Sequence, residues 1–240
     1  MLEKIHGVFF DLDDTLINVS GGTKEAWDLT CFKMKELFSE VDIDPLVLSQ
    51  RITKLNDAFW SNETTRPKGN VDFKAIRQEL VSAVFAELGL THDKGKLFLV
   101  ENYGKFKEQL MYVYPNVYET LQTLKDNGKK LVLITNGDGT RQREKLSRFN
   151  LAQYFDNILI EGELGFGKPQ PQVYERAIQL CEIEACEACM VGDNYLWEVE
   201  APIKYGLKAV WVNTFQKKKP FERTVEPDYV ISNISELLDW

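Results

Sequence analysis

A chain of 240 residues, 44% hydrophobic and 28% charged, has the composition of a globular protein and the length for one large core or two small ones. Its net charge of −8 argues against nucleic acid or an anionic membrane as partner. No apolar run approaches the roughly 18 residues of a membrane span, and the sequence opens directly on a strand pattern, so a cytoplasmic protein is expected.

That first strand is Ile5-His6-Gly7-Val8-Phe9-Phe10, an apolar run rich in β-formers that reads as buried on both faces. It stops at Asp11-Leu12-Asp13-Asp14-Thr15. Carboxylates at the end of a buried strand are costly unless compensated, and a divalent cation with oxygen ligands is the usual compensation. Residues 18–112 then read as helix after helix, with no strand. Thr23 caps the first, with Trp27, Cys31, Met34 and Phe38 at helical spacing. Asp44-Pro45 starts the second. Residues 61–70 are polar and loop-like, Asp72 caps a third helix closed by Gly89, and a fourth covers about Lys94 to Met111. Within this stretch Trp60, Arg66 and Lys68 are expected to pack or to be solvated rather than to touch substrate.

From Tyr114 onward helices alternate with apolar runs. Asn116 and Glu119 have capping-box spacing, and Gly128 ends that helix. Strands are expected at 131–134, 158–160, 188–191, 209–212 and 229–231. Helices are expected at about 140–149, from Pro171 to about Leu180, and at 198–205. Pro202 sets the start of the last no earlier than about Trp197. Asn233 and Glu236 box a final short helix, and Lys217-Lys218-Lys219 reads as a solvated loop. Alternating strands and helices predict an α/β fold with a Rossmann-like, doubly wound parallel sheet. The long detour between Asp13 and Thr135 far exceeds what a crossover needs, so residues 18–112 form an inserted all-helical cap, and residues 1–17 with 113–240 form the core.

The cysteines offer a metal-like spacing, Cys181-x4-Cys186-x2-Cys189. Cys181 falls at a helix end and Cys189 inside a strand, where ligands do not converge. With Cys31 they are expected to be small buried hydrophobes in a reducing compartment. Two histidines, His6 and His92, are too few for a histidine-based zinc site.

A parallel sheet brings its strand ends to one edge, which gathers Asp11, Asp13, Thr135, Lys168 and Asp193. These types suit phosphoryl transfer. Mg²⁺ between carboxylates offsets the repulsion between an anionic nucleophile and a phosphoryl group, while a lysine, a hydroxyl and backbone N–H groups hold its oxygens. Asp11 as nucleophile would give an aspartyl-phosphate. Asp13, two residues on, projects to the same side of an extended chain and would act as acid and then base. Asp14 reads as a turn residue. Asn136 and Asn194 are secondary candidates, and Asp138 and Glu163 are surface residues.

Asp11-Leu12-Asp13-Asp14-Thr15, Thr135-Asn136, Lys168-Pro169 and Gly192-Asp193, in that order, resemble the four motifs of the haloacid dehalogenase (HAD) superfamily, in its phosphatase branch. The resemblance spans essentially the whole chain. It implies Asp11 as nucleophile, Asp13 as general acid and base, and Thr135 and Lys168 at the phosphoryl group, with Asn136 beside them as a candidate substrate-binding residue. It implies Mg²⁺ on the Asp11 carboxylate, the Asp13 carbonyl and Asp193. It further implies a cap that closes over the substrate. The expected substrate is a small phosphorylated metabolite of the nucleotide or sugar phosphate class, and the expected state is a monomer or homodimer. Where the family often carries a second aspartate, this chain has Glu198, which is expected to support the metal through water or to orient Lys168. A haloacid dehalogenase, a phosphomutase and a non-catalytic binder of phosphometabolites share the fold. The presence of Asp13 argues against the first, because its relatives lack an acid there.

Overall fold

The Asp11 and Asp193 backbones leave neighbouring strands at one edge of a six-stranded parallel sheet, and the fold is the means of bringing them there. The computed structural model describes residues 4–61, 72–214 and 225–239. In chain order it runs β1 (Gly7–Phe10), β2 (Ile17–Asn18), α1 (Thr23–Leu37), α2 (Pro45–Ser61), α3 (Phe73–Glu87), α4 (Asp93–Gln109), β3 (Tyr112–Val113), α5 (Val117–Asp126), β4 (Lys130–Thr135), α6 (Gly139–Arg148), β5 (Asn157–Ile160), α7 (Glu161–Leu164), α8 (Pro171–Cys181), β6 (Ala188–Gly192), a π-helical turn (Tyr195–Glu200), α9 (Ala201–Lys204), β7 (Lys208–Val212) and β8 (Tyr229–Ile231). The polar loop at 62–70 with Arg66 and Lys68, and the Lys217-Lys218-Lys219 run, lie outside the described residues.

The chain divides into two units, residues 1–18 with 112–240 and residues 19–111. The first holds the sheet, ordered β5-β4-β1-β6-β7-β8 with every pairing parallel. From β1 the chain steps outward to β4 and β5, then returns to the other side of β1 with β6 and continues outward. The reversal therefore lies between β1 and β6, the place where open α/β sheets bind ligands. β1 and β6 are buried along their whole length, as their apolar runs require. Phe9, Val132 and Met190 share one side of the sheet with Val173, Tyr174 and Ala177 of α8.

The second unit is built of α1–α4 around Trp27, Cys31, Met34, Leu48, Ile52, Val81, Phe85 and Leu99. Trp27 stacks on Tyr103, with ring centroids 4.0 Å apart. Trp60 lies against Phe73 at 5.7 Å, a packing role. Asp44 accepts from Leu46 N–H, and Asp72 from Lys74 and Ala75 N–H, both serving as caps. No helix among the described residues is long and apolar enough to cross a membrane.

Several local expectations are corrected. Thr23 does not cap α1: Gly22 stands at that position in the left-handed region, and the Thr23 hydroxyl donates to Ser20 O. Asn116 also takes a left-handed conformation, with φ 65°, and makes no side-chain cap, so the expected capping box with Glu119 does not form. The stretch expected to be free of strands contributes to a two-stranded antiparallel ladder, Asn18 opposite Tyr112 and Ile17 opposite Val113, through which the chain leaves and re-enters the sheet unit. Two residues are too few to show a period of two. The α7 turn was not expected either. Cys31, Cys181 and Cys189 are buried as expected, whereas Cys186 is exposed.

The helix after β6 starts at Tyr195, earlier than the start near Trp197 expected from Pro202. Asn194 caps it by accepting from Leu196 and Trp197 N–H. The wider π turn, in which Ala201 N–H donates to Leu196 O, relieves the clash a proline ring makes with the carbonyl four residues back.

Candidate active site

Three buried ionisable side chains, Asp11, Lys168 and Glu198, form the centre. Asp11 directly follows β1, and its N–H donates to Val191 O of β6 at 3.0 Å. Its Oδ2 accepts from the Thr15 hydroxyl at 3.2 Å, and its Oδ1 accepts from Lys168 Nζ at 2.5 Å. The same ammonium lies 2.8 Å from Glu198 Oε1. Lys168 is 3% exposed and Glu198 1%, so this lysine, which in a glycine-rich turn would ordinarily be solvated, is enclosed. Burial alone would lower its pKa, but the charges of Asp11 and Glu198 more than offset that and hold it above its usual value. Burial raises the Asp11 carboxyl against the opposing pull of Lys168. It pushes Glu198 up to about 8, with Asp11 and Asp193 adding to the rise.

Lys168 is held by its backbone. Asn136, just after β4, donates from Nδ2 to Lys168 O at 2.7 Å and accepts from Lys168 N–H at Oδ1 at 2.8 Å. Both ends of the Asn136 amide are thus spent on the Lys168 peptide groups. The peptide bond between Lys168 and Pro169 is cis. Nearby, Gly137 N–H donates to Glu161 Oε2 at 2.9 Å, which ties α7 to the same turn.

Asp13 and Asp11 engage different partners. Both Asp13 oxygens face Lys145 of α6, with Nζ at 2.8 and 2.6 Å, and Gln142 Nε2 lies 3.3 Å from Oδ2. Gln142 also donates to Thr135 Oγ1 at 2.6 Å and to Asn136 O at 3.1 Å. One buried amide therefore joins the end of β4 to the loop after β1. Sequence reasoning missed both α6 residues. Asp14 has φ 62° and donates its N–H to Ile17 O at 2.7 Å, the turn role expected of it.

Asp193 follows β6 and lies close enough to raise Glu198 electrostatically. Its carbonyl accepts from the Trp211 indole at 2.9 Å. Glu198 reaches Lys168 because the π turn begins immediately after Asn194 and because Gly192 has no side chain in its way. Tyr174 of α8 donates its hydroxyl to Trp197 O and fixes the same turn. Asp138, expected only at the surface, caps α6 through Arg141 N–H at 3.0 Å, and Glu163 pairs with Arg143 at 2.7 Å.

Carboxylate oxygens are the ligand type that a hard divalent cation takes. Asp11, Glu198 and Asp193 bring three carboxylates to a neighbourhood in which Lys168 is the bound cation, and Glu198 Oε2 is buried with no hydrogen-bond partner among the described residues. Among those residues no three His, Cys, Asp or Glu side chains are gathered tightly enough to hold a metal ion.

A strand-end carboxylate, a buried lysine and a second carboxylate just after the neighbouring strand meet at the switch point of a doubly wound sheet. Residues 5–206 match the model of the haloacid dehalogenase-like hydrolases, and the chain belongs to that family. It is similar to N-acylneuraminate-9-phosphatase of Mus musculus, 28% identical across 98% of this chain and 93% of the relative. It is likewise similar to glyceraldehyde 3-phosphate phosphatase of Methanocaldococcus jannaschii, 30% identical across 98% of this chain and 96% of that one. Among solved structures, a magnesium-bound HAD-hydrolase from Bacillus subtilis shares the fold, with TM-score 0.69 and 23% identity over 98% of this chain and 97% of that chain. With this family and these full-length relatives, the chain is an enzyme of the phosphatase type.

Proposed function

We propose that the enzyme hydrolyses a small-molecule phosphomonoester through an aspartyl-phosphate on Asp11, with Mg²⁺ as cofactor. The observation that carries this is the contact of Lys168 Nζ with Asp11 Oδ1 at 2.5 Å, at the sheet edge where Asp193 leaves the adjacent strand. An Asp11 oxygen attacks phosphorus and the bond to the leaving oxygen breaks. Asp13 protonates that oxygen. Asp13 then takes a proton from water, whose oxygen attacks phosphorus, and the bond to Asp11 breaks to release phosphate. Lys168 orients the Asp11 carboxylate and, with the Thr135 hydroxyl, balances phosphoryl charge. Glu198 holds Lys168 from behind, and Asn136 serves chiefly by placing the Lys168 backbone.

Asp11, Asp193 and the Asp13 carbonyl would hold Mg²⁺, which supplies charge neutralisation between carboxylate and phosphoryl oxygens. The helical unit is inserted directly after the Asp13 loop, and that connectivity supports a cap that selects substrate. The two full-length relatives are named for phosphorylated carbohydrates, which favours a sugar phosphate over a nucleotide. Dehalogenation leaves no alkoxide to protonate, so Asp13 would have no task in it.

The test is release of inorganic phosphate from a panel of sugar phosphates and nucleotides, with Mg²⁺ and with EDTA, by wild type and Asp11→Asn. Activity that needs both Mg²⁺ and Asp11, strongest on sugar phosphates, is expected. Halide release from a haloacid in EDTA would overturn the reading.

A further inference from the structure

Asp13 is held from α6 by two residues outside the motifs, and we propose that Lys145 and Gln142 are positioning residues for it. The inference rests on the reading of Asp13 as proton donor and acceptor given above. Lys145 meets both Asp13 oxygens, at 2.8 and 2.6 Å, and only 18% of its side chain is exposed. Gln142 lies three residues earlier, hence on the same face of the helix, and is 3% exposed. Its two N–H bonds are shared among Asp13 Oδ2, Thr135 Oγ1 and Asn136 O.

An ordinary surface ion pair holds two long side chains loosely and contributes little. This one differs in three ways. The lysine contacts both oxygens, its stem is covered, and a second, buried donor, Gln142, also meets one of the oxygens. The helix that carries both is itself pinned. Asp138 caps its start, Leu146 is buried beneath it, and Arg143 on another face pairs with Glu163 of α7. The result is a rigid bracket that sets the direction of the Asp13 carboxylate relative to Thr135, hence relative to a phosphoryl group bound there. Proton transfer demands a heavy-atom approach of about 2.6–3.2 Å. An error of about 1 Å in such a placement costs on the order of a hundredfold in rate.

The test separates proton donation from every other role by varying the leaving group. An alkoxide leaving from a simple alkyl phosphate needs a proton as its bond to phosphorus breaks, whereas the dinitrophenolate of dinitrophenyl phosphate departs without one. The value of kcat/KM reports the steps up to phosphoryl transfer onto Asp11 for both. Lys145→Met should lose about ten- to a hundredfold on the alkyl phosphate and less than about threefold on the dinitrophenyl ester. Lys145→Arg should recover most of the loss, and Gln142→Leu should show the same substrate pattern as Lys145→Met. Equal losses on the two substrates would overturn the inference, pointing to direct phosphoryl binding or to a purely structural role. Unchanged rates in an active enzyme would overturn it as well. Asp13→Asn that keeps the wild-type kcat/KM on the alkyl phosphate would overturn the reading of Asp13 as proton donor, and this inference with it.

Discussion

Asn136 and Lys168 exchange two hydrogen bonds, the amide donating to the Lys168 carbonyl at 2.7 Å and accepting from its N–H at 2.8 Å. This pair converts two loops after different strands into one rigid floor. It also explains how a lysine in a glycine-rich turn can be committed to the interior.

Asn136→Ala leaves a partly buried peptide N–H and carbonyl without these partners. A stability loss of about 1–3 kcal/mol is expected from urea denaturation. Because Lys168 Nζ is then free to drift from Asp11, kcat/KM should fall by roughly a hundredfold. Stability loss with unchanged kinetics would show that the floor does not position the lysine.

Lys168→Met places two buried carboxylates, Asp11 and Glu198, together without their shared cation. Breaking a buried pair in this way costs about 3–5 kcal/mol, and turnover should be abolished. The double variant Lys168→Met with Glu198→Gln should regain much of the stability and none of the activity. Thermal melts and phosphate release together check both halves.

The Glu198 carboxyl makes stability pH-dependent in the metal-free protein. Burial raises its pKa from 4.5 to about 8, so the folded state binds this proton more tightly than the unfolded chain does. Its contribution is fully present below the unfolded value and is lost as pH rises through the folded one. Urea midpoints in EDTA, followed from about pH 6 to about pH 9, should therefore fall more steeply for wild type than for Glu198→Gln. Parallel curves would contradict it.

Gly192→Ala tests the space that lets Glu198 reach the lysine. An added Cβ would fall on Glu198 Cγ and lie 2.9 Å from Glu198 Cβ. Overpacking of this kind costs about 1–3 kcal/mol. The displaced glutamate should also lower kcat, measurable on any substrate the wild type accepts.

The parts legible in the sequence were those with strong local signals. β1 and β6 are buried along their full length, and only a continuous apolar run satisfies that. Polar residues terminating such runs pointed to Asp11, Thr135 and Asp193 because a parallel sheet shares one edge. Gln142 and Lys145 were not legible. They sit in Gly139–Arg148, whose mix of Arg, Gln, Glu and Lys looks like a solvated face, and nothing local shows that two of those side chains turn inward. The failed cap at Asn116 has a different cause. The spacing suits a capping box, but the backbone there is left-handed and not in the β-region conformation a capping residue usually takes, and no side-chain cap forms. At Pro202 the rule about proline held while the conclusion did not, since a π turn supplies the room an α-helix lacks.

The most direct measurement is to trap the intermediate. Wild-type enzyme, Mg²⁺ and a radiolabelled sugar phosphate that it hydrolyses would be acid-quenched during turnover and the protein counted. The account predicts label on the wild-type chain, removed by hydroxylamine as an acyl phosphate is, and none on Asp11→Asn. Turnover without protein-bound label, or label that persists in Asp11→Asn, would contradict it.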